Sequence, residues 1–507
     1  MYLKLFCARL LLDAKVQNRV GQFLLMPRVP TLTYDRGTLI IHPPPRGKAW
    51  IDDAVWDDRV ERFRIPANAY RRLTESLDAS GTRYENHAAA FHDLDLRPVI
   101  EMTPYAHQNK ALQAWRLAGC NGIVVLPTGG GKTYVAQLAM TDIQQSTLIV
   151  VPTLDLMHQW YAHLLAAFPD SRIGLLGGGS HDRTPILVAT YDSAAIHAEA
   201  LGNQYGLLIF DECHHLPSNF TRVIAEYALA PYRLGLTATP ERSDGRHSDF
   251  RQLIGPTVYR ISAEALSGSV LAKHRVMKIK VQLSQAERQR YDRLIEKRNT
   301  FLKQSDIHLG SLRGWQQFVR ASARSRAGRR AMLAHREARS IAFGTEGKLR
   351  VLGDLLAQHY PARTLIFTDD NATVYRIAKA FLIPAITHKT PVKERHGILA
   401  NFKSGVYPTV VTSRVLNEGV DVPEATVAIV LSGSGSAREY TQRLGRILRQ
   451  GNGKLALLYE VIADSTSEEQ TSRRRRSVTS SYRSLQTPEL NFKAAETAGE
   501  SCYRPTC

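Results

Sequence analysis

Residues 122–140 read "GIVVLPTGGGKTYVAQLAM": an apolar run, a proline, three glycines, then Lys132 and Thr133 opening an amphipathic stretch. The run has the length and branched content of a buried strand, and the stretch after it has the spacing of a helix. A strand that turns through glycines into a helix points backbone N–H groups at one spot, and the helix N-terminus adds positive potential there. This is the chemistry of a phosphate cradle. Thr128, Gly129, Gly130 and Gly131 would form it, Lys132 would reach the β and γ phosphates, and the Thr133 hydroxyl would ligate Mg²⁺. The strict pattern has glycine at its first position, where this chain has Leu126, so the match is to the looser form "PTGGGKT".

Such a loop requires a second element that holds the metal and orients water, carried on a neighbouring strand end. "YGLLIFDECHHLP" (205–217) supplies one. Its apolar run ends in Asp211, read as the Mg²⁺ partner, and Glu212, read as the group that polarises the attacking water. Cys213, His214 and His215 also have ligand chemistry for zinc. Three consecutive residues seldom converge on one ion, however, and no second Cys/His cluster exists in the chain. Cys213 is therefore expected to be a small core side chain, and His214 or His215 to contact the γ-phosphate network or a second lobe.

The pattern repeats outward from these motifs. "STLIVV", "ILVAT" and "YRLGLT" extend the first series of strands; "RTLIFT", "TVVTS", "TVAIVL" and "LALLYEV" form another. Short apolar runs alternating with helices indicate parallel sheets. The expected fold is α/β, with two parallel-sheet lobes at 100–262 and 346–465. Between them, 263–345 is read as a connecting segment and an arginine-rich helical insert, with Trp315 and Phe318 among the arginines as candidates for gripping a nucleic-acid backbone. Residues 26–99 are read as a small α+β domain in which "TLTYDRGTLIIH" forms a hairpin. Residues 1–25 are unplaced. Residues 466–507 are read as a basic disordered tail.

Composition narrows the partners. The 507 residues carry a formal charge of +19, which favours a polyanion. Five scattered cysteines, Cys7, Cys120, Cys213, Cys502 and Cys507, fit a reducing cytosol rather than a disulfide scaffold. No apolar run has the ~18 residues that span a bilayer, so no membrane role is expected.

Across about residues 31–465 the motifs resemble those of superfamily 2 helicases, specifically the XPB helicases of nucleotide-excision repair and transcription. "YAHQNKALQAW" (105–115) resembles the adenine-reading element, with Gln108 as reader. "VVPTLDLMHQW" (150–160) and "VATYDSA" (188–194) resemble strand-tracking motifs. "LGLTATPERSDGRH" (234–247) resembles the motif that couples hydrolysis to movement. "LIPAITHKTPVKER" (382–395), "VVTSRVLNEGVDVPEA" (410–425) and "SGSGSAREYTQRLGRILR" (432–449) resemble the signatures of the second lobe.

The resemblance implies two RecA-like lobes with ATP between them, a damage-recognition-like N-terminal domain and a thumb-like insert. It implies arginine fingers at Arg446 and Arg449, a phosphate sensor at Gln442, and Gly419 and Asp421 near the ribose. Thr237 and Thr239 would couple ATP to DNA, and Thr153, Arg242, Thr412 and Arg414 would contact DNA phosphates. The family's Arg-Glu-Asp motif reads Arg242, Ser243, Asp244 here, with serine in place of the acid. The resemblance further implies a 3′→5′ DNA helicase or translocase of repair that acts as a monomeric motor on single-stranded and forked DNA. A structure-specific nuclease is an implied partner, and the location is the prokaryotic cytoplasm with the nucleoid. Two other readings stay open: an RNA helicase, and a DNA-stimulated ATPase scaffold that recruits a nuclease.

Overall fold

A computed structural model describes residues 29–45, 54–99, 102–241, 244–309, 312–413, 425–433, 455–477 and 489–492. The chain separates into two compact units, Met1–Ile261 and Ser262–Cys507.

The first unit opens with a five-stranded sheet: β1 (Thr31–Asp35), β2 (Thr38–His42), β3 (Val55–Asp57), β4 (Arg62–Pro66) and β5 (Glu85–Asn86), in the order β3-β4-β2-β1-β5. The hairpin turns as expected, with Arg36 and Gly37 both at positive φ, the backbone twist that matches two antiparallel strands. A helix, Tyr70–Ala79, buries Leu73 and Leu77 against Leu39, Phe63 and Ile65. This domain is tied to the sheet that follows. The Tyr34 hydroxyl lies 3.0 Å from the carbonyl oxygens of both Glu199 and Tyr227. Leu229 enters the small domain's core, and the Arg71 guanidinium donates to the Gly119 and Pro231 carbonyls.

The larger sheet contains β6 (Asn121–Val125), β7 (Thr147–Val151), β8 (Ile173–Gly177), β9 (Ser180–His181), β10 (Ile186–Thr190), β11 (Leu207–Asp211), β12 (Tyr232–Thr237) and β13 (Thr257–Arg260). The order is β13-β6-β12-β11-β7-β10-β8-β9, and every pair but β8–β9 is parallel. The β7, β10 and β11 runs are buried almost throughout, because helices cover both faces. This topology places the ends of β6, β12 and β11 side by side.

The second unit is built on a seven-stranded parallel sheet: β14 (Lys273–Val281), β15 (Thr364–Phe367), β16 (Ala385–Ile386), β17 (Thr409–Thr412), β18 (Val427–Val430), β19 (Leu455–Ala463) and β20 (Glu489–Phe492), in the order β16-β17-β15-β18-β19-β14-β20. β14 corrects the sequence reading of 263–345 as only connector and helices. It pairs with β19 along nine residues, Lys273↔Leu455 to Val281↔Ala463. Three helices follow it, Gln285–Gln304, Leu312–Arg324 and Arg326–Gly344. Phe318 is fully buried among Leu302, Ala331 and Met332, where it joins the helices and is not available to grip a backbone. Trp315 remains 37% exposed.

The reading of 466–507 as disordered is corrected at two places, the strand β20, which pairs with β14, and the stretch that follows β19. Ser467–Ser477 is a helix, and Glu468 on it is buried. Its carboxylate accepts from Lys348 Nζ at 2.6 Å and from the Ala463 N–H at 2.7 Å, while the same ammonium donates to the Leu431 carbonyl. Removing one partner of a buried ion pair strands the other charge. Glu468→Ala is therefore expected to destabilise the second unit by about 3–5 kcal/mol in chemical denaturation.

His335, in the helical insert, faces Trp315 at a ring-centroid distance of 5.4 Å. Burial, followed by the positive charges of Arg298, Arg339 and Arg336, pushes its pKa down to about 4. On acidification the unfolded chain takes up the proton first. The stability contributed here is full above about pH 6.5 and is lost as the pH falls toward 4, by about 2 kcal/mol after allowance for solvent screening. Melting of the wild type should show this loss between pH 6.5 and 4, and His335→Gln should flatten it.

Candidate functional site

The glycine loop leaves β6 and is held on three sides. The Leu126 N–H donates to the Thr237 carbonyl at the end of β12, the adjacent strand. Gly129 and Gly131 sit at φ +84° and +79°, and Gly131 caps the helix Lys132–Ile143. A Cβ on Gly131 would lie 2.1 Å from Gln108 Nε2. From the other side, the His107 ring nitrogen Nε2 is 2.8 Å from the Gly130 carbonyl oxygen, and Gln108 Nε2 donates to the Gly131 carbonyl at 3.4 Å. Gln108 Oε1 also accepts from the Tyr105 N–H, which starts the helix Ala106–Leu117. Gln108 is thus beside the loop; the role of His107 was not read from the sequence.

Lys132 Nζ meets Glu212 Oε1 at 3.2 Å, both side chains being nearly buried. Glu212 follows the last residue of β11 at φ +45°, a conformation that is strained for a residue with a Cβ and typical of functional turns. The turn directs its carboxylate toward the glycine loop. Its other oxygen, Oε2, accepts from the Thr237 hydroxyl at 3.4 Å and lies 3.5 Å from His214 Nδ1. Thr237 Oγ1 in turn accepts from the Thr239 N–H at 3.2 Å. Lys132, Glu212, Thr237 and His214 therefore form one network across the ends of β6, β11 and β12. Cys213 is fully buried in the apolar cluster with Phe210, Leu216 and Ile254, and burial pushes its thiol pKa well up.

Asp211 is buried behind this network. Its Oδ1 accepts from the Glu212 N–H at 2.9 Å and its Oδ2 from the Trp160 indole at 2.8 Å, while its carbonyl oxygen accepts from the Tyr191 hydroxyl. Burial raises the carboxyl pKa to about 6, reinforced by the Glu212 charge and opposed by Lys132. The donor set suits a nucleotide and a hard cation. A carboxylate whose charge is costly to keep, beside glycines that leave room for phosphate oxygens, offers oxygen ligands. The Thr128 hydroxyl in the loop is buried and bonds to nothing among the described residues.

The remaining expected residues are dispersed. Thr153 caps the helix Leu154–Ala167 at the end of β7, accepting from the Leu156 N–H at 3.3 Å. In the second unit, Thr412 is fully buried at the end of β17, and its hydroxyl donates to the Ser413 carbonyl. The side chain of Thr412 is thus packed inside the second unit. Arg242, Arg414, Gly419, Asp421, Gln442, Arg446 and Arg449 lie outside the described residues, as do residues 1–25.

Gly131→Ala is expected to weaken binding of a fluorescent ATP analogue by about tenfold. The positive φ disfavours a Cβ by about 1 kcal/mol, and the added Cβ would push aside the Gln108 amide that holds the Gly131 carbonyl. The double variant with Gln108→Ala removes only the clash and should regain part of the affinity.

Comparison with known proteins accounts for this arrangement. Residues 32–88 match the model of the Xeroderma pigmentosum group B helicase damage recognition domain, 101–242 that of the type III restriction enzyme res subunit, and 347–483 that of the ERCC3/RAD25/XPB C-terminal helicase. The DNA 3'-5' translocase XPB2 of Sulfurisphaera tokodaii is 42% identical over 429 residues, covering 84% of this chain and 97% of that protein. The DNA 3'-5' helicase XPB of Kineococcus radiotolerans is 32% identical over 364 residues, 69% of this chain and 58% of the relative. Among solved structures, the Hef helicase domain of Pyrococcus furiosus superposes with a TM-score of 0.52 at 19% identity, covering 73% of this chain and 97% of that one. Dbp5 of S. cerevisiae, bound to RNA and ADP BeF3, superposes with a TM-score of 0.53 at 12% identity, covering 77% and 90%, a likeness of fold. With phosphate loop, acidic pair and flanking domains in this order, the chain belongs to the XPB family of superfamily 2 helicases.

Proposed function

We propose that this protein is an ATP-dependent 3′–5′ DNA helicase or translocase of the XPB type that acts in DNA repair. The observation that carries the reading is the Lys132–Glu212–Thr237 network at three adjacent strand ends. It joins the group that would hold phosphate, the group that would polarise water and the first threonine of the coupling motif. The direction of movement rests on the relatives' names.

In this reading Gln108 reads the adenine, and Thr128 with Gly129, Gly130 and Gly131 cradles the phosphates. Lys132 leaves Glu212 for the β and γ phosphates, which frees the Glu212 carboxylate to orient water. Thr133 and Asp211 would hold Mg²⁺, which supplies charge neutralisation on the phosphate oxygens when bound. A change in the charge facing Glu212 reaches Thr237 and Thr239 through the hydroxyl they share. Gln442, Arg446 and Arg449 would act on the γ-phosphate, and Gly419 and Asp421 near the ribose. Thr153, Arg242 and Arg414 would contact DNA phosphates, contacts that are independent of base sequence. The damage-recognition-like domain would move with the phosphate loop, since Tyr34 and Arg71 bind it to the same unit. Among the described residues no helix is long and apolar enough to cross a membrane. We take the protein to be a monomeric motor on nucleoid DNA in a prokaryotic cytoplasm, with a structure-specific nuclease as partner.

Steady-state ATP hydrolysis with no nucleic acid, single-stranded DNA, forked duplex and RNA tests this. The expected outcome is stimulation by DNA over RNA, with Lys132→Ala lowering the rate by about 10²–10³, and ATP-dependent displacement of a strand from the fork. Stimulation by RNA alone would make it an RNA helicase. ATPase without strand displacement or translocation would make it a switch that recruits a nuclease.

A further inference from the structure

Trp160 belongs to a stretch that resembles a strand-tracking motif, yet its polar atom is hydrogen-bonded to Asp211. It lies on the helix Leu154–Ala167 and is 2% exposed, inside the apolar cluster that also holds Val135, Ala136 and Val151. A buried indole N–H requires an acceptor, and here the acceptor is Asp211 Oδ2 at 2.8 Å. The other oxygen is held by the Glu212 N–H. Each carboxylate oxygen thus has one donor and keeps a lone-pair direction for a further partner.

The identity of the donor matters. A lysine or arginine at this position would neutralise Asp211 and compete with a cation. A tryptophan orients the carboxylate and leaves its negative charge intact, because the indole donates but carries no charge. Groups that orient metal ligands in this way set affinity nearly as strongly as the ligands do.

We propose that Trp160 is a positioning residue of the nucleotide site, holding Asp211 in the orientation that receives the divalent cation of the bound nucleotide. The proposal rests on the reading of Asp211 as a cation ligand. The structure provides an internal control. Trp115 is fully buried in the same apolar cluster and donates its indole N–H to a backbone carbonyl, that of Arg233, at 2.9 Å. Trp115→Phe therefore removes the same atoms from the same core without touching Asp211.

The experiment measures the affinity of a mant-labelled, non-hydrolysable ATP analogue in Mg²⁺ and again in EDTA. The ratio isolates the contribution of the metal from any general loss of nucleotide binding. Asp211→Asn and Trp160→Phe should each lower the ratio by about tenfold, while Trp115→Phe should leave it at the wild-type value. Trp160→benzothienylalanine, which replaces the N–H by sulfur at nearly unchanged shape, should lower it as Trp160→Phe does and covers the case in which phenylalanine unfolds the core. A wild-type ratio in both Trp160 variants, with the ratio lost in Asp211→Asn, would reduce Trp160 to packing and leave the Asp211 reading intact. An unchanged ratio in Asp211→Asn would overturn both. An equal fall in Trp115→Phe would attribute the effect to the core as a whole and overturn the proposal.

Discussion

The alignment of the ends of β6, β12 and β11 in one parallel sheet is the constraint on which the Lys132–Glu212 ion pair and the rest of the site depend. Two oppositely charged groups 80 residues apart in sequence meet because β6 and β11 flank β12 in a parallel sheet. In a parallel sheet all strands end on the same edge, so the loops after them converge. The apolar runs of these strands exist to make that edge rigid. Ile123, Val124, Ile209, Phe210, Leu234 and Leu236 are fully buried beneath it. A shift of one residue in the β11–β12 register would turn each side chain to the other face of the sheet and separate Thr237 from Glu212.

This edge is built against stability. Asp211, Glu212, Lys132 and His214 are removed from water within a few ångströms of one another, and burial of charge is unfavourable unless each group is paired and hydrogen-bonded. The raised pKa of Asp211 expresses that tension. The backbone adds to it at Glu212, whose positive φ aims the carboxylate. Strain and buried charge persist because the surrounding core over-determines the geometry. The second unit uses the same physics for a structural end, since Lys348 and Glu468 satisfy each other and two backbone groups in the core.

The strands around the site were legible because their signal is local. Runs such as "STLIVV" and "YGLLIF" are apolar, branched and of strand length, and they form β7 and β11. β14 was not legible. Its sequence, "KHRVMKIKV", places a cation at nearly every second position, which reads as an exposed strand or a charged loop, yet it lies between β19 and β20. The helix Ser467–Ser477 was hidden for a related reason. "SEEQTSRRRRS" is polar throughout, and what orders it is Lys348, a partner 120 residues away.

At the site itself, the sequence alone determined the groups placed by their own backbone turn: Lys132 and Thr133 after three glycines, and Asp211 and Glu212 at the end of an apolar run. Their geometry follows from a strand ending next to them, which a short stretch specifies. Only the tertiary structure decided that His107 meets the glycine loop and Trp160 meets Asp211, that Thr412 is buried, and that Phe318 joins helices. Those roles depend on which partner lies across a sheet or a helix face, and a hydrogen bond between residues 23 or 51 positions apart leaves no periodic trace in the chain.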